Sequence, residues 1–236
     1  MTSSSSWSSL LIAGTVALSF VTLTASLRFK KNKKSHRRPR ICVFCGSRSG
    51  GDPEYLKQAE LLGKALATRD IELVYGGGNI GLMGALARAV DENGGVVHSV
   101  IPRPLVPFTG KIIQPENCIV TGGMHERKRR FVELSDAFLA LPGGLGTMEE
   151  LLETATWRQL GVHHKPFGVL NICNFWDALR TLFKSAIDQG FLGSEWEDGG
   201  IVFDHDVERL LDCVLSRIGG KEEEARALIA SHEWII

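Results

Sequence analysis

Two glycine-rich stretches, residues 76–84 and 142–147, each follow a short apolar run and each open a segment with helical spacing. A strand that passes through a tight turn straight into a helix is the repeating unit of a parallel sheet with crossover helices. The rest of the chain keeps that rhythm from Ile41 onward. Residues 41–44 read as the first buried strand. Asp52-Pro53-Glu54 then supplies an N-cap, a proline at the first helical position and an acid in the first turn. Strands are predicted at 71–75, 96–101, 137–141, 167–170 and 201–203. Helices are predicted up to about residue 69, from the first glycine loop to about 93, from near His125, from Met148 to about 160, and near 176–189, 207–217 and 222–232. The proline-rich residues 102–107 begin a long connection. The fold class is α/β, a Rossmann-like parallel sheet with helices on both faces in a single domain over residues 41–236, and no internal repeat interrupts it.

Residues 1–40 form a separate segment. Residues 10–27 are uncharged and mostly apolar, within the roughly 17–25 residues a membrane span needs. A basic cluster from Arg28 to Arg40 follows the run rather than preceding it, which disfavours a cleaved signal peptide. The positive-inside rule then makes this a membrane anchor with the domain facing the cytosol. An organelle transit peptide is the rival, because the segment is rich in Ser and free of acids. The segment holds eight of the 27 basic residues, leaving 19 against 27 acids in the remainder. A domain this acidic is not expected to have a nucleic-acid partner, and an anionic substrate must be held by local groups.

The five cysteines include Cys42 and Cys45 in CxxC spacing, which suits zinc or redox chemistry. Both lie in or beside a buried strand and no second pair matches them. Reduced thiols and no metal site are expected.

The first glycine loop, Gly76-Gly77-Gly78 with Gly81 and Gly84, is a phosphate cradle or simply a tight strand–helix turn. The acid that dinucleotide sites carry about twenty residues later has no counterpart here, which disfavours a nicotinamide cofactor. The second loop is more specific. Pro142-Gly143-Gly144-Leu145-Gly146-Thr147-Met148-Glu149-Glu150 fits PGGxGTxxE, with Thr147 placed to cap the helix and offer a hydroxyl to an anion. Glu150 then falls three residues on, where it serves either as the acid of a capping box or as a catalytic carboxylate. Arg127 lies in the first turn of its helix, a poor position for a cation unless Glu150 or a phosphate faces it.

With these motifs the chain resembles the LONELY GUY family of cytokinin-activating phosphoribohydrolases, often mislabelled lysine decarboxylases. The matching segments are Val43-Phe44-Cys45-Gly46-Ser47, Val74 to Gly78 with Gly81 to Gly84, Met124-His125-Glu126-Arg127-Lys128, and Ser135 to Phe138 running into Pro142 to Glu150. Trp157 to Gly161 and Lys165-Pro166 continue the match, over about residues 40 to 193. The resemblance implies a homodimer that hydrolyses the N-glycosidic bond of N6-substituted AMP, giving the free base and ribose 5-phosphate without metal or redox cofactor. It implies that Arg127 and Glu150 are the essential pair. It implies substrate contacts at Ser47, Met124, Arg127, Lys128, Gly143, Gly144, Leu145, Gly146, Thr147, Met148, Glu149, Glu150 and Thr156. Three positions depart from the pattern: Leu145 replaces a frequent Tyr, Arg48 a frequent Ser, and residues 106–110 lack the Arg-Glu pair of the long loop. The alternative readings are a nucleosidase for AMP or another purine nucleotide, a nucleotide-binding module without turnover, and a decarboxylase using a pyridoxal phosphate lysine, for which Lys128 and Lys165 are the lysines near the motifs.

Overall fold

The computed structural model describes residues 37–193, 196 and 200–219. Its strands are β1 (Arg40–Phe44), β2 (Glu72–Tyr75), β3 (Val97–Pro102), β4 (Cys118–Thr121), β5 (Ala137–Ala140), β6 (Phe167–Leu170) and β7 (Val202–Asp204). Its helices are α1 (Pro53–Thr68), α2 (Gly81–Glu92), α3 (Met124–Leu134), α4 (Leu145–Gln159), α5 (Asp177–Asp188) and α6 (Val207–Leu215). Every strand pair is parallel, in the order β4-β3-β2-β1-β5-β6-β7.

Alternation along the strands builds two cores. Ile41 and Val43 of β1, with Leu73 and Tyr75, pack under α1, α2 and α6. Cys42 and Phe44, with Val74, Phe138 and Phe167, pack under Phe131 of α3, Leu151 of α4 and, at the margin, Leu179 and Phe183 of α5. Successive side chains of a strand point to opposite faces, so near-continuous apolar runs become two buried layers. Phe44 anchors the second layer, with Phe131, Phe138 and Phe167 at centroid distances of 5.7, 5.9 and 6.4 Å. The CxxC pair is divided by the same rule: Cys42 belongs to one core and Cys45 to the other. Burial raises both thiols above their ordinary range.

Asp52 caps α1 as its sequence position suggests, accepting the Glu54 N–H at 2.8 Å ahead of Pro53. Three expectations need correction. The long connection after β3 contains an edge strand, β4, together with two 3-10 turns at Arg103–Phe108 and Pro115–Asn117. Helix α4 begins at Leu145, with Gly144 as N-cap and no side-chain cap, so Thr147 is a first-turn residue rather than the cap. Arg40 opens β1 instead of ending the linker, and its Nε binds Glu72 Oε2 at 2.6 Å. No helix among the described residues is long and apolar enough to cross a membrane. The apolar run 10–27, the basic cluster up to residue 36 and the helix expected at 222–232 lie outside the described residues.

Candidate active site

The strand order reverses between β1 and β5, and at such a switch point the loops leaving two adjacent strands diverge to opposite faces, opening a crevice. Main-chain bonds hold its walls together. The Leu141 N–H donates to the Phe44 carbonyl at 2.9 Å, and the Gly46 N–H to the Pro142 carbonyl at 3.0 Å. The Met83 N–H donates to the Gly46 carbonyl at 3.2 Å, bringing in the start of α2. Two glycines are required by this crowding. Gly81 has φ +58° and a Cβ there would strike the backbone of Ser47 and Arg48; a Cβ on Gly143 would take the place of the Thr147 hydroxyl.

The resulting cleft has a volume of about 560 Å³. Of the residues expected to contact substrate, Ser47, Met124, Arg127, Gly143, Gly144, Leu145, Gly146, Thr147, Glu149 and Glu150 line it. Lys128, Met148 and Thr156 do not. Lys128 Nζ donates to Glu149 at 2.7 Å and Glu153 at 2.9 Å, fastening α3 to α4. Thr156 is exposed and bonds its own helix at the Leu152 carbonyl. The cleft also has an apolar wall that the sequence did not disclose. Tyr55 and Phe175, edge to face at 6.3 Å, join Leu82, Met83 and Leu105 there. They come from loops and helices far apart in the chain, and only the sheet order brings them together. A second hollow of about 530 Å³ lies between α5 and β7, away from both glycine loops.

Arg127 and Glu150 meet at the cleft floor. Arg127 Nη2 is 3.6 Å from Glu150 Oε1, with side chains 9% and 13% exposed. The same guanidinium lies over the Phe131 ring at 5.2 Å and donates to the Gly76 carbonyl at 3.4 Å, while its buried Nε has no partner. Gly76 lacks the Cβ that would occupy the guanidinium's position. Counted from Gly144, Glu150 stands at the sixth helical position. It is too far along α4 to reach back to the cap N–H, and a capping box is therefore excluded. Burial pushes its carboxyl up to about 7, against the downward pull of Arg127 and Lys128. A carboxyl poised near neutrality in a cleft is the usual signature of an acid, base or nucleophile.

The chain matches the family model described as possible lysine decarboxylase over residues 83–214. It is 49% identical over 158 residues to the cytokinin riboside 5'-monophosphate phosphoribohydrolase LOG7 of Arabidopsis thaliana, covering 66% of this chain and 72% of that one. It is 46% identical over 165 residues to the phosphoribohydrolase LOG of Oryza sativa subsp. japonica, covering 69% and 67%. The chain belongs to the LONELY GUY (LOG) family of cytokinin riboside 5'-monophosphate phosphoribohydrolases. Among solved structures, the LOG-family fold here is similar to a molybdenum cofactor binding protein of Rippkaea orientalis, with a TM-score of 0.58 and 23% identity over 77% of this chain and 98% of that one. It is likewise similar to the molybdenum cofactor carrier protein of Chlamydomonas reinhardtii, with a TM-score of 0.56 and 23% identity over 76% and 99%. At these identities the likeness concerns the fold.

The decarboxylase description does not suit this LOG-family cleft. A pyridoxal phosphate Schiff base needs a lysine amine in the site. Among the described residues no lysine lines the cleft. Lys128 is held by two carboxylates, and Lys165 Nζ donates to the Val132 and Ser135 carbonyls at the end of α3.

Proposed function

We propose that this protein hydrolyses the N-glycosidic bond of an N6-substituted AMP, releasing the cytokinin base and ribose 5-phosphate. One observation carries the reading: a desolvated carboxylate, Glu150, faces Arg127 on the floor of a cleft walled by two helix N-termini that have no side-chain cap. Breaking the bond between the base nitrogen and the anomeric carbon builds positive charge on the sugar and negative charge on the base. Ionised Glu150 suits the sugar side, either as an electrostatic stabiliser or as a nucleophile, much as in glycosidases. Arg127 orients Glu150 and counters charge on the leaving side. The first-turn N–H groups of α4, free of any side-chain cap, suit the 5′-phosphate, and the wall of Tyr55, Leu105 and Phe175 suits an apolar N6 substituent. Water completes the reaction, and no step calls for a metal or redox cofactor.

The full chain incubated with N6-isopentenyl-AMP, AMP and the matching ribosides tests this. Free base should appear from the monophosphates, fastest from the N6-substituted one, and from the ribosides at least about a hundred-fold more slowly, the equivalent of two lost charge-assisted contacts. Equal rates for riboside and monophosphate, or no free base from either, reject it.

Self-association into a homodimer is supported by an exposed apolar stripe on α4, where Leu145, Met148 and Leu152 share one face. Sedimentation equilibrium as a monomer would reject it. Membrane anchoring with the domain facing the cytosol is supported by the run 10–27 followed by basic residues. Failure of the full chain to float with liposomes would reject that.

A further inference from the structure

Among the described residues four charged side chains line the cleft, and three of them are engaged. Arg127 faces Glu150, and Glu149 holds Lys128. The fourth, Arg48, is exposed and makes no hydrogen bond or ion pair with any described residue. Its place is fixed even though its side chain is unpartnered. Gly46, two residues before it, is bonded through its N–H to Pro142 and through its carbonyl to Met83. Gly81 approaches so closely that a Cβ there would strike the Arg48 nitrogen. Arg48 thus stands where the starts of α2 and α4 converge, and neither helix has a side-chain cap. The first-turn N–H groups of α4 and the unpartnered Arg48 guanidinium line the cleft beside the start of α2, whose Met83 N–H is taken by Gly46, while the Arg127–Glu150 pair occupies the floor.

Among the described residues, a dianion entering this cleft meets one lining cation that need not first abandon a carboxylate. Arg127 would have to leave Glu150, and Lys128 would have to leave both Glu149 and Glu153. A guanidinium can instead fork two donors onto a phosphate without breaking any existing bond. We propose that Arg48 is a side-chain ligand of the substrate's 5′-phosphate and adds to the preference for nucleoside monophosphates that the α4 N-terminus provides. The proposal rests on reading the site as one for a nucleoside 5′-monophosphate. A ligand of the phosphate that does not touch the reacting atoms holds ground state and transition state alike, so its loss belongs in KM rather than kcat.

The test compares wild type, Arg48→Ser and Arg48→Lys, all as the full chain. For N6-isopentenyl-AMP the serine variant should show a KM raised by roughly ten-fold or more with kcat nearly unchanged, the lysine variant falling between, and the gap should narrow in high salt. Cleavage of the unphosphorylated riboside should be the same in all three. Equilibrium binding of AMP, with adenosine as the phosphate-free control, makes the test independent of turnover. An Arg48→Ser variant that binds AMP as tightly as wild type overturns the proposal, as does one whose riboside rate falls in step with its monophosphate rate. Wild type that binds AMP through Arg48 yet releases no base would leave the phosphate site standing and reject the hydrolase reading alone.

Discussion

Arg127 Nη2 donates to the Gly76 carbonyl at 3.4 Å, joining residues 51 apart in sequence and seating the guanidinium on the first glycine loop. The seat exists because position 76 has no side chain. A methyl group there meets the far end of the Arg127 side chain and displaces it from Glu150. Gly76→Ala should therefore lower turnover by roughly ten-fold or more, a loss of at least one oriented charge contact, while moving Tm by less than about 2 °C. Gly77→Ala should do the reverse. With φ +82° and Ile101 in the way, it costs stability by about 2–4 kcal/mol from backbone strain and overpacking. Thermal melts and steady-state rates on the two variants separate these outcomes; matching losses in both would refute the seat.

Glu150 burdens the fold it serves. With its carboxyl raised from the ordinary 4.5 to about 7, the folded protein still holds between those values a proton that the unfolded chain has released. Stability therefore falls as pH rises through that window, and the full cost, on the order of 3 kcal/mol, is present above pH 7. Glu150→Gln has no such titration. It should lose nearly all turnover and yet melt several degrees above wild type at pH 8, with the advantage gone near pH 4.5. Equal melting at pH 8 would show that Glu150 is not held in an unfavourable site.

Lys128 is expected to act through Glu150 rather than on substrate. Its ammonium offsets two carboxylates, Glu149 and Glu153, that raise the Glu150 carboxyl, and it lowers that carboxyl itself. Lys128→Met should move the acid limb of the kcat/KM profile to higher pH, each half unit being roughly three-fold in rate on that limb. Lys128→Arg should largely restore it. An unshifted profile with a raised KM would make Lys128 a substrate ligand instead.

How much of this was legible beforehand differs by element. The buried strands β1, β2, β5 and β6 announce themselves as apolar runs because both faces of the sheet are covered. Strand β4, Cys118–Thr121, is a half-exposed edge with Val120 facing solvent, and its short apolar run sits inside a long polar and proline-rich connection that reads as loop. The PGGxGTxxE motif identified Glu150, but its role depended on where α4 begins. Gly144 takes an extended conformation as N-cap and the helix starts at Leu145, two residues before Thr147, which removes the capping box. The partnership of Arg127 and Glu150 was suspected from charge alone. Its geometry depends on the order of strands, which no spacing records.

Within the basic run of α3 the consequences should be unequal. Arg127→Ala leaves Glu150 buried without its cation and should cut turnover by roughly a hundred-fold or more, on the scale of one lost electrostatic contact to the reacting charges. Arg130 is a surface residue paired with Glu133 at 2.9 Å. Arg130→Ala should change stability by less than about 1 kcal/mol and turnover by less than about two-fold. Parallel rate measurements decide it, and equal effects would reduce Arg127 to one more solvated charge.

The cleft is framed by carbonyls and N–H groups of Phe44, Gly46, Met83, Leu141 and Pro142, not by the side chains it presents. A frame of that kind survives the exchange of nearly any side chain displayed on it. Arg48 and Leu145, both on the rim and both outside the structural hydrogen bonds, can be replaced one at a time without loosening the walls. Descendants of such a scaffold can drift toward new nucleotides by single substitutions at the rim, while Gly81 and Gly143, whose small size the frame itself demands, stay closed to change.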